Sequence, residues 1–142
     1  MAQPPDPLRL LAEDADDLAV ISAALQDAVT RIGDIRWESH GRRLTIAFNR
    51  FRWEVGKGER VRAGLQFGGV LKVRARNLRH DARDAVLELL ALTFEPGEAP
   101  GGRITFAFAD GGDLSVEVEC IDAALADLSA PWPSPHRPEH EA

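Results

Sequence analysis

Glu59-Arg60-Val61-Arg62-Ala63-Gly64-Leu65-Gln66-Phe67-Gly68-Gly69-Val70-Leu71-Lys72-Val73-Arg74-Ala75-Arg76 is the stretch that decides the fold. Val61, Ala63, Leu65 and Phe67 alternate with Arg60, Arg62, Gly64 and Gln66. Leu71, Val73 and Ala75 alternate with Lys72, Arg74 and Arg76. Successive side chains of a strand point to opposite faces, so a period of two predicts half-buried strands. Gly68-Gly69 between them predicts a hairpin turn. On that reading the two strands share an apolar inner face and a basic outer one.

The pattern extends both ways. Before it, Ile35 and Trp37 alternate with Arg36 and Glu38, and Leu44, Ile46 and Phe48 share one face of the next strand. After Asn49 the apolar phase flips to Phe51, Trp53 and Val55, which predicts a bulge, or a strand bending from one sheet into another. Gly56-Lys57-Gly58 reads as a turn. After the stretch, residues 81–95 are ambiguous: Ala82, Ala85, Val86, Leu89 and Leu90 have helical spacing, while Leu90, Leu92 and Phe94 alternate. We read a turn near 79–85 and a strand over 86–95. Ile104, Phe106 and Phe108, then a turn at Ala109-Asp110-Gly111-Gly112, then Leu114, Val116 and Val118 give two further strands.

Helices are expected only near the ends. Leu8 to Glu13 reads as a first strand. Asp14 then serves as N-cap, with Asp16 and Asp17 in the first turn and Leu18, Ile21, Leu25, Ala28 and Val29 forming an apolar stripe. Ile121, Ala124, Leu125 and Leu128 predict a closing helix. The fold expectation is α+β: a mostly antiparallel, strongly curved sheet or partly open barrel of about seven to eight strands, with helices over about 15–29 and about 121–128. Residues 1–7 read as a flexible start, 8–128 as one domain, and 129–142 as a flexible proline-rich tail from which Trp132 can tuck back.

Arg43-Leu44-Thr45-Ile46-Ala47-Phe48 and Arg103-Ile104-Thr105-Phe106-Ala107-Phe108 agree at four of six positions. Duplication of a β-meander and convergence of two half-buried strands both account for it. In element order, several antiparallel strands closed by a helix resemble the pleckstrin-homology superfold, which does not fix function.

Charge is unevenly spread. Residues 42–83 hold twelve of the seventeen Lys and Arg, while most of the 23 acids lie outside them and the net charge is −6. The candidate binding residues are therefore Arg60, Arg62, Lys72, Arg74 and Arg76 on one strand surface, with Arg50 and Arg52 nearby. Such a face grips an acidic partner or phosphates, or is a solvated surface covered by acidic residues such as Asp16 and Asp17. It lacks interleaved exposed aromatics, since Phe51, Trp53 and Phe67 fall on the inward phase, and the pI of about 5.2 also weighs against nucleic acid.

Other chemistry is thinly supported. Cys120 is the only cysteine and reads as a small buried hydrophobe. His40, His80, His136 and His140 are scattered, so no metal site is expected. No Gly-rich phosphate loop, dinucleotide fingerprint or nucleophile elbow is present, so no cofactor is expected. Glu38, Glu54, Glu95, Glu117 and Glu119 read as solvated strand residues. There is no apolar run of about 18 residues. The start lacks a basic region followed by an apolar one. The location expected is cytoplasmic.

Asn49-Arg50-Phe51-Arg52-Trp53-Glu54, Phe94-Glu95-Pro96-Gly97-Glu98-Ala99-Pro100-Gly101-Gly102 and Val118-Glu119-Cys120-Ile121-Asp122-Ala123, with Asp127-Leu128 ahead of Trp132, resemble an uncharacterised alphaproteobacterial family, domain of unknown function 2948. The likeness covers about residues 8–132. It implies a small bacterial cytoplasmic protein of no assigned activity and transfers no catalytic residue. The leading expectation is a non-enzymatic domain that binds another protein through the basic face or a sheet edge, with a homodimer as one form of edge pairing. The alternatives are salt-dependent nucleic-acid binding by the same face, and an enzyme with a site in the sheet mouth using Glu54 or His40.

Overall fold

The computed structural model describes residues 7–55, 58–79 and 81–133. The strands are β1 (Arg9–Ala12), β2 (Val29–Arg31), β3 (Ile35–Glu38), β4 (Arg43–Phe51), β5 (Glu59–Phe67), β6 (Val70–Arg76), β7 (Val86–Pro96), β8 (Gly102–Phe108), β9 (Asp113–Val118), β10 (Ala123–Asp127) and β11 (Trp132–Pro133). One helix, α1 (Ala15–Ala24), follows β1, and a 3-10 turn over Ile32–Asp34 joins β2 to β3. The order across the sheet is β1-β10-β5-β4-β2-β7-β8-β9-β6, with β3 added to β4 and β11 to β5. Every pairing is antiparallel, and the sheet is not closed into a barrel: β1 and β6 end it.

The inner faces of the sheet meet over one core. Leu44, Ile46 and Phe48 of β4 and Ala63, Leu65 and Phe67 of β5 belong to the same buried cluster as Ile104, Phe106 and Phe108 of β8 and Leu114, Val116 and Val118 of β9. Phe67 meets Phe106 edge-to-face at 5.9 Å between ring centroids, a favourable aromatic geometry. Helix α1 adds Leu18 and Ile21 to this core. Asp14 caps it by accepting from the Asp17 amide at 2.8 Å.

The expected hairpin at Gly68-Gly69 is corrected. β5 pairs with β4 and β10, whereas β6 pairs with β9. The two glycines carry the chain from one layer to the other. Gly69 has φ +60°, a conformation open to glycine. A side chain on Gly68 would meet the Asp122 carboxylate at 2.6 Å. A register shift between Val70 and Lys72 then buries Val70 and leaves Leu71 52% exposed, reversing the phase expected there.

Three more expectations are corrected. The C-terminal helix over 121–128 is absent: Ala123–Asp127 is a strand held on both edges by β5 and β1, and that pairing overrides the helix preference of its alanines. This removes the element on which the pleckstrin-homology analogy rested. The first helix stops at Ala24, and Asp27 turns the chain at φ +62° into β2. Among the described residues the sheet has eleven strands rather than seven to eight: β3 was expected from its alternation, whereas β2 and β11 are too short, and β10 has too little contrast between its faces, to show a period. Where the sequence was ambiguous, the strand over 86–95 is present as β7. Trp132 returns to the sheet opposite Arg60.

The repeated hexapeptides occupy equivalent places. Arg43 lies opposite Glu38 and Leu44 opposite Phe67, while Arg103 lies opposite Glu95 and Ile104 opposite Val116. The arrays β3-β4-β5-β10 and β7-β8-β9-β6 thus share one strand order. Each meander hands its next strand to the other: β6 leaves β5 to pair with β9, and β10 leaves β9 to pair with β5.

Candidate functional site

The apolar phase flips after Asn49 as read, but the bulge expected from it does not form as far as Phe51. β4 continues in unbroken register with β5 as far as Phe51 opposite Arg60, and Arg50 simply takes the next inward position. It is fully buried. Its Nε and Nη2 donate to Asp127 Oδ1 and Oδ2, both at 2.9 Å. Its Nη1 and Nη2 reach Glu54 at 2.9 and 2.7 Å. Asp127 also accepts from the Leu8 amide at 2.8 Å. Burial opposes the charge of Arg50, but the bonds to Glu54 and Asp127 outweigh it and raise its pKa. The Arg50 bond holds the Glu54 carboxyl below its ordinary value, against a smaller opposing effect of burial. Arg52 is also buried and pairs with Glu59 at 3.1 Å. These two arginines tie β4, β5, β10 and the start of β1 together, and neither forms part of an exposed basic face.

The remaining predicted residues fall into two groups, because β5 and β6 are not neighbours. Arg60 and Arg62 stay beside β4: Arg60 donates to the Asn49 carbonyl at 3.4 Å and Arg62 to Asn49 Oδ1 at 3.1 Å. Arg62 also faces Asp34 at 3.4 Å. Lys72, Arg74 and Arg76 lie on β6, opposite Glu117, Ser115 and Asp113 of β9. Arg76 Nε donates to Asp113 at 2.9 Å. One row across this outer face reads Lys72, Glu117, Arg103, Glu95, so charge alternates from strand to strand. The single basic surface expected from the sequence is divided, and its β6 half is interleaved with acids.

β6 is the end strand of its layer and has seven residues, against four in the other end strand, β1. Its free edge carries Lys72 and Arg74, exposed and outside any ion pair with a described residue, and the exposed Leu71. A free edge is a row of backbone donors and acceptors available to another chain.

Three concavities bear on the other expectations. His40 lines an open one with Trp37, Glu38 and Arg43. Glu54, the other proposed enzymatic residue, is held by Arg50 instead. A second lies between Glu95, Glu98, Glu117 and Arg103. A third, of about 360 Å³, opens where β2 and β3 part from β4 and is lined by Thr30, Arg31, Asp34, Asn49 and Arg62. Sequence reasoning missed this fork; the available signal was an Asn facing an Arg on neighbouring strands. His80, His136, His140 and the turn at Gly56-Lys57 lie outside the described residues. Cys120 is half-buried. No helix among the described residues is long and apolar enough to cross a membrane.

No curated protein and no solved structure matches this chain. A family model described as "Protein of unknown function (DUF2948)" matches residues 8–140, and the chain belongs to that family.

Proposed function

We propose that this chain is a non-enzymatic protein-interaction domain that captures an extended acidic segment of another protein along the free edge of β6. The observation that carries this reading is the end position of a seven-residue strand bearing Lys72, Arg74 and Arg76 at alternating positions. Strand addition draws affinity from the backbone and specificity from alternate side chains. The occupied edge of β6 supplies a template for the partner: β9 sets Glu117 opposite Lys72 and Asp113 opposite Arg76. A second copy of β6 fits poorly. Antiparallel pairing centred on Arg74 sets arginine against arginine and Lys72 against Arg76, and like charges directly opposite are destabilising. The cytoplasm, where soluble partner segments abound, is the compartment this reading assumes.

The test is selection from a library of displayed random peptides, followed by NMR mapping of the selected sequences. Expected are peptides alternating acidic and apolar residues, with shifts centred on 70–76, whose binding is lost in the Lys72→Glu, Arg74→Glu double variant. Selected peptides that map elsewhere, or that bind the variant equally, overturn the reading. Binding of a mixed-sequence oligonucleotide at about 50 mM salt, with shifts on β6, would replace it with the nucleic-acid alternative.

A further inference from the structure

The fork beside β4 stands apart from the β6 edge. β3 covers β4 from Arg43 to Ile46, and β2 joins it only at Val29 opposite Asn49. Between these contacts residues 30–34 part from β4, with Thr30 and Arg31 still paired to β7, and the split opens the cavity of about 360 Å³. Ligand sites run from about 300 to 1,000 Å³, so the cavity has room for a small ligand.

The floor of the cavity is settled by its own bonds. Thr30 is buried and donates to the Ala47 carbonyl at 2.7 Å, so the backbone group exposed by the split has a partner. Asn49 is oriented by its neighbour. A guanidinium only donates, so the 3.1 Å bond from Arg62 fixes Oδ1 toward Arg62 and turns the Asn49 amide NH2 away from it. That NH2 donates to no described group. Arg31 lines the same cavity and pairs with no described carboxylate. Among the described residues, the one ion pair of Asp34 is with Arg62, at 3.4 Å. Val29 and Val86 supply apolar wall.

We infer that this fork binds a free α-amino acid, with the ligand carboxylate held by Arg31 and the Asn49 NH2, and its ammonium by Asp34. The pairing of a cationic donor set with one carboxylate inside a single cavity distinguishes this class from a simple anion. A phosphate would be attracted by Arg31 and Arg62 but would face Asp34 with charge of the same sign. The short apolar wall admits a small aliphatic side chain.

Titration of the whole chain with a panel of L-amino acids tests this, using acetate, methylammonium and inorganic phosphate as comparators and the Asn49 side-chain amide as the NMR reporter. An aliphatic amino acid is expected to bind at least about tenfold more tightly than acetate, since acetate lacks the charge-assisted contact to Asp34. Arg31→Met is expected to weaken amino-acid binding by about tenfold or more. As the Arg31 side chain is exposed and outside any ion pair with a described residue, the thermal midpoint of that variant reports whether the fold is kept. Asp34→Asn should remove the advantage over acetate while leaving acetate binding in place. The inference is overturned by the absence of any amino-acid effect at about 10 mM, where even millimolar affinity registers. Phosphate or acetate binding as tightly as every amino acid, or undiminished amino-acid binding by Arg31→Met, overturns it as well.

Discussion

The meander β3-β4-β5 and the meander β7-β8-β9 share strand order and central register but differ at one end. β8 stops at Phe108 and turns at once, with the Phe108 amide bonded to the Gly112 carbonyl and Gly111 at φ +85°. β4 passes the equivalent Phe48 and continues through Asn49, Arg50 and Phe51. That short extension carries the buried arginine and one wall of the fork. The buried polar residues Asp27, Thr30, Arg50 and Arg52 all precede β5, and none falls in β7, β8 or β9. The shared strands build the core, and the unshared extension holds the polar chemistry.

The largest expected effect probes that asymmetry. Arg50→Met leaves the Asp127 carboxylate buried with the Leu8 amide as its remaining donor among the described residues, and urea unfolding should show a loss of about 3–5 kcal/mol. At the corresponding position of the second meander, Asp110 sits in an exposed turn, and Asp110→Ala should change stability by less than about 0.5 kcal/mol. Similar losses at both sites would break the comparison.

A second experiment sharpens the shared part. Leu65 lies opposite Ile46 and Leu114 opposite Phe106, both deep in the common core. Leu65→Ala and Leu114→Ala should each cost about 2–5 kcal/mol in urea unfolding. A negligible cost at either would show that the two meanders do not bear the core equally.

The smallest effect is one of pH. The folded pKa of Glu54 is depressed, so the unfolded chain takes up this proton first as pH falls. The stabilising contribution of Glu54 is complete above the ordinary glutamate value of about 4.3 and is lost as pH drops through the folded value. The stability gap between the native chain and Glu54→Gln should therefore close on acidification and stay constant from about pH 6 upward. A gap independent of pH would separate Glu54 from the Arg50 cluster.

Much of the sheet was legible because its strands are half-buried and keep a strict period of two. β4, β5, β8 and β9 could be read in this way, as could the turn at Asp110-Gly111. β10 could not, because Ala123-Ala124-Leu125-Ala126 has little contrast between its faces and good helix propensity. Gly68-Gly69 suits a hairpin and a crossing between layers alike, and only distant strands decide between them. That choice also divided the basic face. Arg50 stands at an inward position of β4, but the carboxylate that allows its burial is Asp127, 77 residues away. The fork depends on where β2 leaves β4, which a three-residue strand does not announce.

The exchange of β6 and β10 has a consequence for synthesis. As the nascent chain leaves the ribosome, β6 emerges before β9, and β5 waits for β10 with one edge bare. At about 5–20 residues per second the interval from β5 to β10 is about 3–12 s. β1, ahead of the other described strands in the chain, finds its strand partner only in β10, more than a hundred residues later. The growing polypeptide thus carries open strand edges until β9 and β10 appear, and β1 stays without a strand partner throughout that interval.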